Sequence, residues 1–428
     1  MKSIDSVQAI NLKKNKAVLG KAPFIRSTDI GKNSTAIMMR DVLIALFPII
    51  VFAWVKNGLL PFINYEHVSV YTMLWPLLFV LTGGLTSFVL EALYFMLFKG
   101  EKTLKGALLA SKNSFSVLPG IFLALILPLY TPFWMLMLGC FMANIVFKML
   151  FGGFGYNIFN PALIGYVFII AAFAGSLISN EFNAYYSVGD IFNQTASSTP
   201  LTNVMGSATI NEETVKFLQF DYDLMVGTYG NLWDFFFGHI PGSLGETSSL
   251  LIIISYIYLC IRKTIDWYTP LIYVGVVFVL TWGIGAFCGH PDIWYPVFHV
   301  CSGGLLFGAV FMATEPVTTP KTPNGKIIFA LFLGLFTVLF RVFGAMEEGV
   351  ATSILFMCLF SGIIDRFCAK IRVSGLCKQT IGKYALLGTF MLLIVAFIFY
   401  KTNSLNPREV LTQTQDLMNN DILLRGGK

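Results

Sequence analysis

Four ionisable residues stand inside or at the ends of strongly apolar stretches: Glu91, Lys148, Arg341 and Asp365. A charge placed in hydrocarbon is costly, so a residue that keeps one there is a candidate for function; Glu91 and Asp365 are the candidates for an ion pathway. Lys148 and Arg341 are long enough to snorkel to an interface, and Asp365 directly precedes Arg366, with which it can form a local ion pair. Two polar breaks are candidate binding segments. Residues 152–161 (GGFGYNIFNP) supply flexible backbone, the carboxamides of Asn157 and Asn160, and a proline suited to a helical first turn, a composition able to line a cavity. Residues 240–249 (IPGSLGETSS) run into an apolar stretch, and free amides at a helix start beside Ser243 and Thr247 can hold a phosphate. Simple capping explains Thr247 and Ser248 equally well, and the charge of Glu246 would oppose an anion there. Residues 193–201 (NQTASSTPL) read as an ordinary Ser/Thr loop.

The elements that position these groups must lie in a bilayer. Of 428 residues 56% are hydrophobic and 12% charged, and the mean hydropathy is +0.72, more apolar surface than one soluble core can bury. A span takes about 20 residues, and about ten or eleven candidates lie near 38–55, 69–97, 115–130, 133–150, 161–178, 247–261, 268–287, 296–313, 327–344, 349–367 and 383–400. The fold class is therefore all-α, a polytopic helical membrane protein. Basic residues mark alternate loops: Arg26 and Arg40, then Lys99, Lys102 and Lys105, then Arg262 and Lys263, Lys321 and Lys326, and Arg366 and Arg372. The long segment 179–246 has Lys216 as its single Lys or Arg against eight acids. The retention of Lys and Arg on the cytoplasmic side puts the amino terminus inside and the 179–246 loop outside. The net charge of +6 reports orientation and carries no argument for nucleic acid.

A weak internal repeat is visible. Residues 147–152 (FKMLFG) end the fourth stretch and residues 340–344 (FRVFG) end the ninth. An offset of five spans reverses the second half, predicting an inverted five-helix repeat with polar sites between the halves. The seven cysteines form no C-x-x-C pair, which argues against an iron–sulfur cluster housed in this chain, and the Cys/His pairs at 288–290 and 299–301 depart from structural zinc spacing.

Several ordered segments carry a resemblance: residues 22–26 (APFIR), 39–46 (MRDVLIAL), the 152–161 break, 241–248, 261–263 with Asp266 and Trp267, 302–304 (SGG), 312–320 (MATEPVTTP) and 364–366 (IDR). Over about 22–372 the chain resembles the family containing the D subunit of the Rnf electron-transport complex and the B subunit of the sodium-translocating NADH:quinone reductase; the PVTTP run followed by TPNGK is similar to the Rnf branch. The likeness implies a cytoplasmic tail over 1–40, a family domain over 41–372 with an external flavin loop at about 179–246, and an added helix and polar tail over 373–428. It implies FMN attached through its phosphate to a threonine of that loop, Thr199 first and Thr209, ending Gly206-Ser207-Ala208-Thr209, second, together with a noncovalent riboflavin nearer the inner face. Ser243, Glu246, Thr247, Asn157 and Asn160 are the further cofactor-binding candidates. The implied role is one subunit of a ferredoxin:NAD-type translocase, not catalytic alone, relaying electrons and coupling them to Na⁺ or H⁺ transfer. Implied partners are a second covalent-FMN subunit, iron–sulfur subunits and a flavin transferase. A secondary transporter and a cofactor-less assembly subunit stand as alternatives.

Overall fold

In the computed structural model the described residues are 35–64, 69–178, 207–210, 213–216, 226, 230–240, 242–246, 248–287, 290–343, 349–374 and 378–404. Every apolar stretch read from the sequence coincides with helix. In chain order these are α1 (Thr35–Asn64), α2 (Val70–Phe98), α3 (Leu104–Asn113), α4 (Val117–Ile126), α5 (Phe133–Met149), α6 (Pro161–Ile178), the short α7 (Leu232–Phe237), α8 (Ser249–Ile261), α9 (Tyr268–Phe287), α10 (Trp294–Cys301), α11 (Leu305–Met312), α12 (Pro323–Phe343), α13 (Val350–Ser374) and α14 (Lys378–Ser404). Lipid leaves no water to satisfy backbone groups, so spanning segments of this composition close their hydrogen bonds within the helix. Among the described residues six helices, α1, α2, α9, α12, α13 and α14, are each long and apolar enough to cross a bilayer. The pairs α3–α4 and α10–α11 reach that length only together and are bent by 58° and 61°, while α5, α6 and α8 are shorter apolar helices. The protein is thus a polytopic helical membrane protein. Its described strands form one antiparallel hairpin, β1 (Ser207–Ile210) with β2 (Glu213–Lys216), in which Thr209 faces Thr214 in register.

Contacts sort the helix ends into two groups, as alternating basic loops require. Asp41 at the start of α1 accepts from Arg262 after α8 at 2.9 Å, Lys326 pairs with Asp266, and Asp365 meets the backbone of Lys321; these ends form the basic face. On the opposite face the Lys56 ammonium donates to the carbonyl of Ile240, Gly245 N–H donates to Leu125 O at 2.8 Å, and Trp75 Nε1 donates to Leu129 O at 3.2 Å. Between the faces, α2 and α4 touch backbone to backbone. A Cβ on Gly120 would collide with Gly83 O and Ser87 Oγ, so glycine is required where these helices cross.

The two halves repeat one arrangement. In each, a helix broken at its middle (α3–α4, α10–α11) is followed by a helix (α5, α12) whose last turn holds a buried cation, Lys148 or Arg341. The sequence allowed both cations to reach an interface; instead each is only 2% exposed, because each satisfies carbonyls that the neighbouring break exposes.

Candidate functional site

The break between α3 and α4 runs through Ser114, Phe115 and Ser116. Phe115 has φ +52°, a conformation that bulky L-residues rarely adopt and that persists only where surroundings impose it. Ser114 ends α3, and its carbonyl accepts from the Lys148 ammonium at 2.8 Å. The same ammonium donates to Glu91 Oε1 at 2.6 Å; neither side chain of the pair is more than 2% exposed. A cation suits this place because the carbonyl end of a helix carries partial negative charge. Below the pair, two further rungs join α2 to α5 at the same spacing: Asn144 Nδ2 donates to Ser87 Oγ at 2.6 Å, and Cys140 Sγ to Gly83 O at 3.6 Å. Asn144 and Lys148 lie on a π-helical turn, Met142–Met149, a widened geometry common at functional places.

The break between α10 and α11 is made of Gly303 and Gly304, at φ +68° and +66°. Here the guanidinium of Arg341 donates to the carbonyls of His299, Ser302 (3.0 Å) and Gly303 (3.2 Å). Beside it Tyr273 Oη, Thr337 Oγ1 and Ser353 Oγ form a buried chain at 2.6 and 2.7 Å that ties α9, α12 and α13 together.

On the basic face a cavity, part of it open to the outside, lies against the first break. Phe115, Phe122, Phe154 and Phe311 supply flat apolar walls, and Asn157, Asn160, Lys148 and Glu315 the polar points. The Lys148 ammonium sits 5.9 Å from the ring centroid of Phe154. Asn157 Nδ2 donates to Phe159 O at 3.2 Å, while its Oδ1 is buried with no hydrogen-bond partner. Asn160 Oδ1 accepts from the amides of Ala162 and Leu163 at 3.1 and 3.3 Å, capping α6. Glu315, in the connection between α11 and α12, accepts from Thr318 Oγ1 at 3.1 Å. Burial pushes its carboxyl up to about 7, against the opposing pull of hydrogen bonds from Thr318 and Asn157 and of the positive Lys148 and Lys321. Two lining rings, Phe122 and Phe311, lie 6.1 Å apart between centroids, and Phe307 packs against both at 6.2 and 5.0 Å.

Of the residues singled out from sequence, Asn157 and Asn160 come together at this cavity, and Glu91 reaches it through Lys148. Asp365 does not: both its oxygens accept from Lys321 N–H, at 2.9 and 2.8 Å, and Oδ1 also from Thr322 N–H and Oγ1, at 3.0 and 2.9 Å. It anchors the connection entering α12 through these bonds. Ser243 and Glu246 are buried on the opposite face, where the Glu246 carboxylate stands so close to Gly304 that a Cβ there would lie 2.9 Å from Oε1. Ser248 caps α8 by accepting from Leu251 N–H at 3.5 Å. Thr199 and Thr247 lie outside the described residues, and Thr209 is placed on β1. The sequence reading passed over Glu315, Asn144 and Ser87. For the last two a signal existed, since Ser87 and Glu91, and Asn144 and Lys148, each stand four apart in apolar surroundings.

Residues 18–374 match the family described as NQR2, RnfD, RnfE. Among curated relatives, the chain is 32% identical over 360 residues (84% of this chain, 96% of the relative) to the D subunit of the Na(+)-translocating ferredoxin:NAD(+) oxidoreductase complex of Acetobacterium woodii. It is 32% identical over 366 residues (84% and 97%) to the D subunit of the proton-translocating ferredoxin:NAD(+) oxidoreductase complex of Clostridium ljungdahlii. To the B subunit of the Na(+)-translocating NADH-quinone reductase of Chromohalobacter salexigens it is 34% identical over 310 residues (68% and 70%).

Proposed function

The chain belongs to the NQR2, RnfD, RnfE family, and from that premise we propose that it serves as the D-type membrane subunit of an Rnf-like complex that moves ions by oxidoreduction, with catalysis belonging to the assembled complex. The observation that carries the reading is the near end-to-end similarity to two D subunits of such complexes, 96% and 97% of whose lengths are covered. Those two relatives are equally similar, and one name specifies Na⁺ and the other the proton. The ion is therefore not assigned by likeness.

The cofactor proposed is flavin at two places. The cavity on the basic face suits a planar heteroaromatic ring: its walls are phenylalanines, and the orphaned Oδ1 of Asn157 is an acceptor waiting for a ring N–H. Such a ring, when bound, supplies one- and two-electron chemistry. Phe115 and Phe154, in edge-to-face contact with each other at 5.3 Å, would border it, Asn157 and Asn160 orient it, and Glu315, poised near 7, would hold or give up a proton beside it. The second place is a covalent FMN on the opposite face, on Thr199 or else Thr209, installed by a flavin transferase acting from outside. Under this reading the basic face is cytoplasmic, Glu91 lies on the ion path, and partner subunits with iron–sulfur clusters and a second covalent FMN handle the soluble electron carriers.

The covalent part is tested by in-gel flavin fluorescence of the denatured chain made with the transferase, comparing wild type with Thr199→Ala and Thr209→Ala. Fluorescence lost only in Thr199→Ala establishes that residue, and loss only in Thr209→Ala moves the site to β1. A dark wild-type band removes the tethered flavin and favours a cofactor-less assembly role.

A further inference from the structure

Helices broken inside a membrane usually present their exposed carbonyls to a mobile cation, because the carbonyl end of a half-helix is partly negative. Both breaks in this chain have that end filled by the chain itself. At the first, Lys148 Nζ stands 2.8 Å from Ser114 O, the carbonyl that closes α3. At the second, Arg341 covers three carbonyls, of His299, Ser302 and Gly303, where α10 ends. Each cation comes from the last turn of the helix after the break, each is 2% exposed, and a carboxylate stands at each break: Glu91 pairs with Lys148 at 2.6 Å, and Glu246 abuts Gly304 at the start of α11. Equal placement in two halves that share little sequence points to one job.

We infer that Lys148 and Arg341 are resident cations: each occupies the ion position that its broken helix creates, so that neither carbonyl cluster is open to the cation that crosses the protein. Side-chain length follows the geometry. The first break offers one carbonyl and one carboxylate, which a compact ammonium satisfies; the second fans three carbonyls over two residues of left-handed glycine, which the fork of a guanidinium can span.

The test uses the full-length chain in its native complex, reconstituted with salts on both sides of the membrane, and follows how much of this chain survives heating at the wild-type midpoint. It does not depend on the proposed oxidoreductase activity. Arg341→Lys, which keeps the charge but not the fork, should lose part of that survival, whereas Arg341→Met, uncharged and without a donor, should leave roughly tenfold less folded chain. Arg341→Ala should be restored by guanidinium at sub-denaturing concentration, more than by an equal concentration of tetramethylammonium, which is too large for the space. The inference is overturned if Arg341→Met survives as well as Arg341→Lys, which would make the side chain a space filler. It is equally overturned if guanidinium does no more for Arg341→Ala than for wild type.

Discussion

Replacing Lys148 with Met should be the most damaging single change in the membrane region. The substitution keeps the length of the side chain and removes three donors. It leaves the Glu91 carboxylate, 0% exposed, without the 2.6 Å bond to Oε1, while Oε2 already has no hydrogen-bond partner. Breaking a buried pair from one side costs about 3–5 kcal/mol. For Glu91→Gln the loss is smaller, about 1–3 kcal/mol, because the amide oxygen still accepts from the ammonium and only charge is removed. Combining the two changes removes the stranded carboxylate, so the double variant should recover most of what Lys148→Met loses, short of about 1–3 kcal/mol for the abandoned Ser114 carbonyl. The assay heats the solubilised complex and reads the intact chain by fluorescence after size exclusion; on the order of 5–10 °C should separate Lys148→Met from wild type. A double variant that melts at or below Lys148→Met would refute the reasoning, since the two residues would then not depend on each other.

Gly120→Ala should force α2 and α4 apart, because its methyl group would overlap Gly83 O and Ser87 Oγ; a loss of about 1–3 kcal/mol is expected and should appear as a lower yield of intact chain after extraction from the membrane. A pH effect should come from Glu315, whose folded value of about 7 lies above its ordinary 4.5. The folded chain binds this proton more tightly than the unfolded chain, so stability is greatest below 4.5 and declines as pH rises toward 7. Thermal midpoints should therefore fall between about pH 5 and about pH 7.5, and Glu315→Gln should flatten that decline. Lys321, which burial lowers to about 8, contributes only above this window. If Glu315→Gln keeps the full slope, the carboxyl is not its source.

The helices were legible because lipid demands long apolar runs, and the alternation of basic loops foretold which ends would meet, as Asp41 with Arg262 and Lys326 with Asp266 do. The repeat was legible through FKMLFG and FRVFG, yet what those motifs do was not. Snorkelling and burial predict the same residue types at a helix end, and only the position of the neighbouring break decides between them. The shortness of the stretch at 115–130 and its Pro119 suggest an interrupted helix, but the break's place at Phe115 had no warning, since no glycine or proline stands at 114–116 and an aromatic residue takes the left-handed conformation. The composition of residues 240–246 suits an external phosphate-holding edge; Ile240 and residues 242–246 are buried, in contact with Leu125 and Gly304 of the two broken helices, a long-range outcome that local composition cannot carry. Asp365 looked like half of a pair with its neighbour because adjacency is visible in one dimension, whereas its bonds run to residues 321 and 322, more than forty positions away.

The three rungs between α2 and α5 have a mechanical meaning. Gly83 with Cys140, Ser87 with Asn144 and Glu91 with Lys148 are all separated by 57 positions, so the partners advance in step along both helices. Sliding one helix against the other by a fraction of a turn breaks all three at once. A slide of one full turn, about 5.4 Å, would put Cys140 opposite Ser87 and Asn144 opposite Glu91 but would set the Lys148 ammonium against Phe95, within α2, with no carboxylate to meet it. The ladder therefore has one register. The two helices are keyed together, and any motion of this part of the fold carries them as one body.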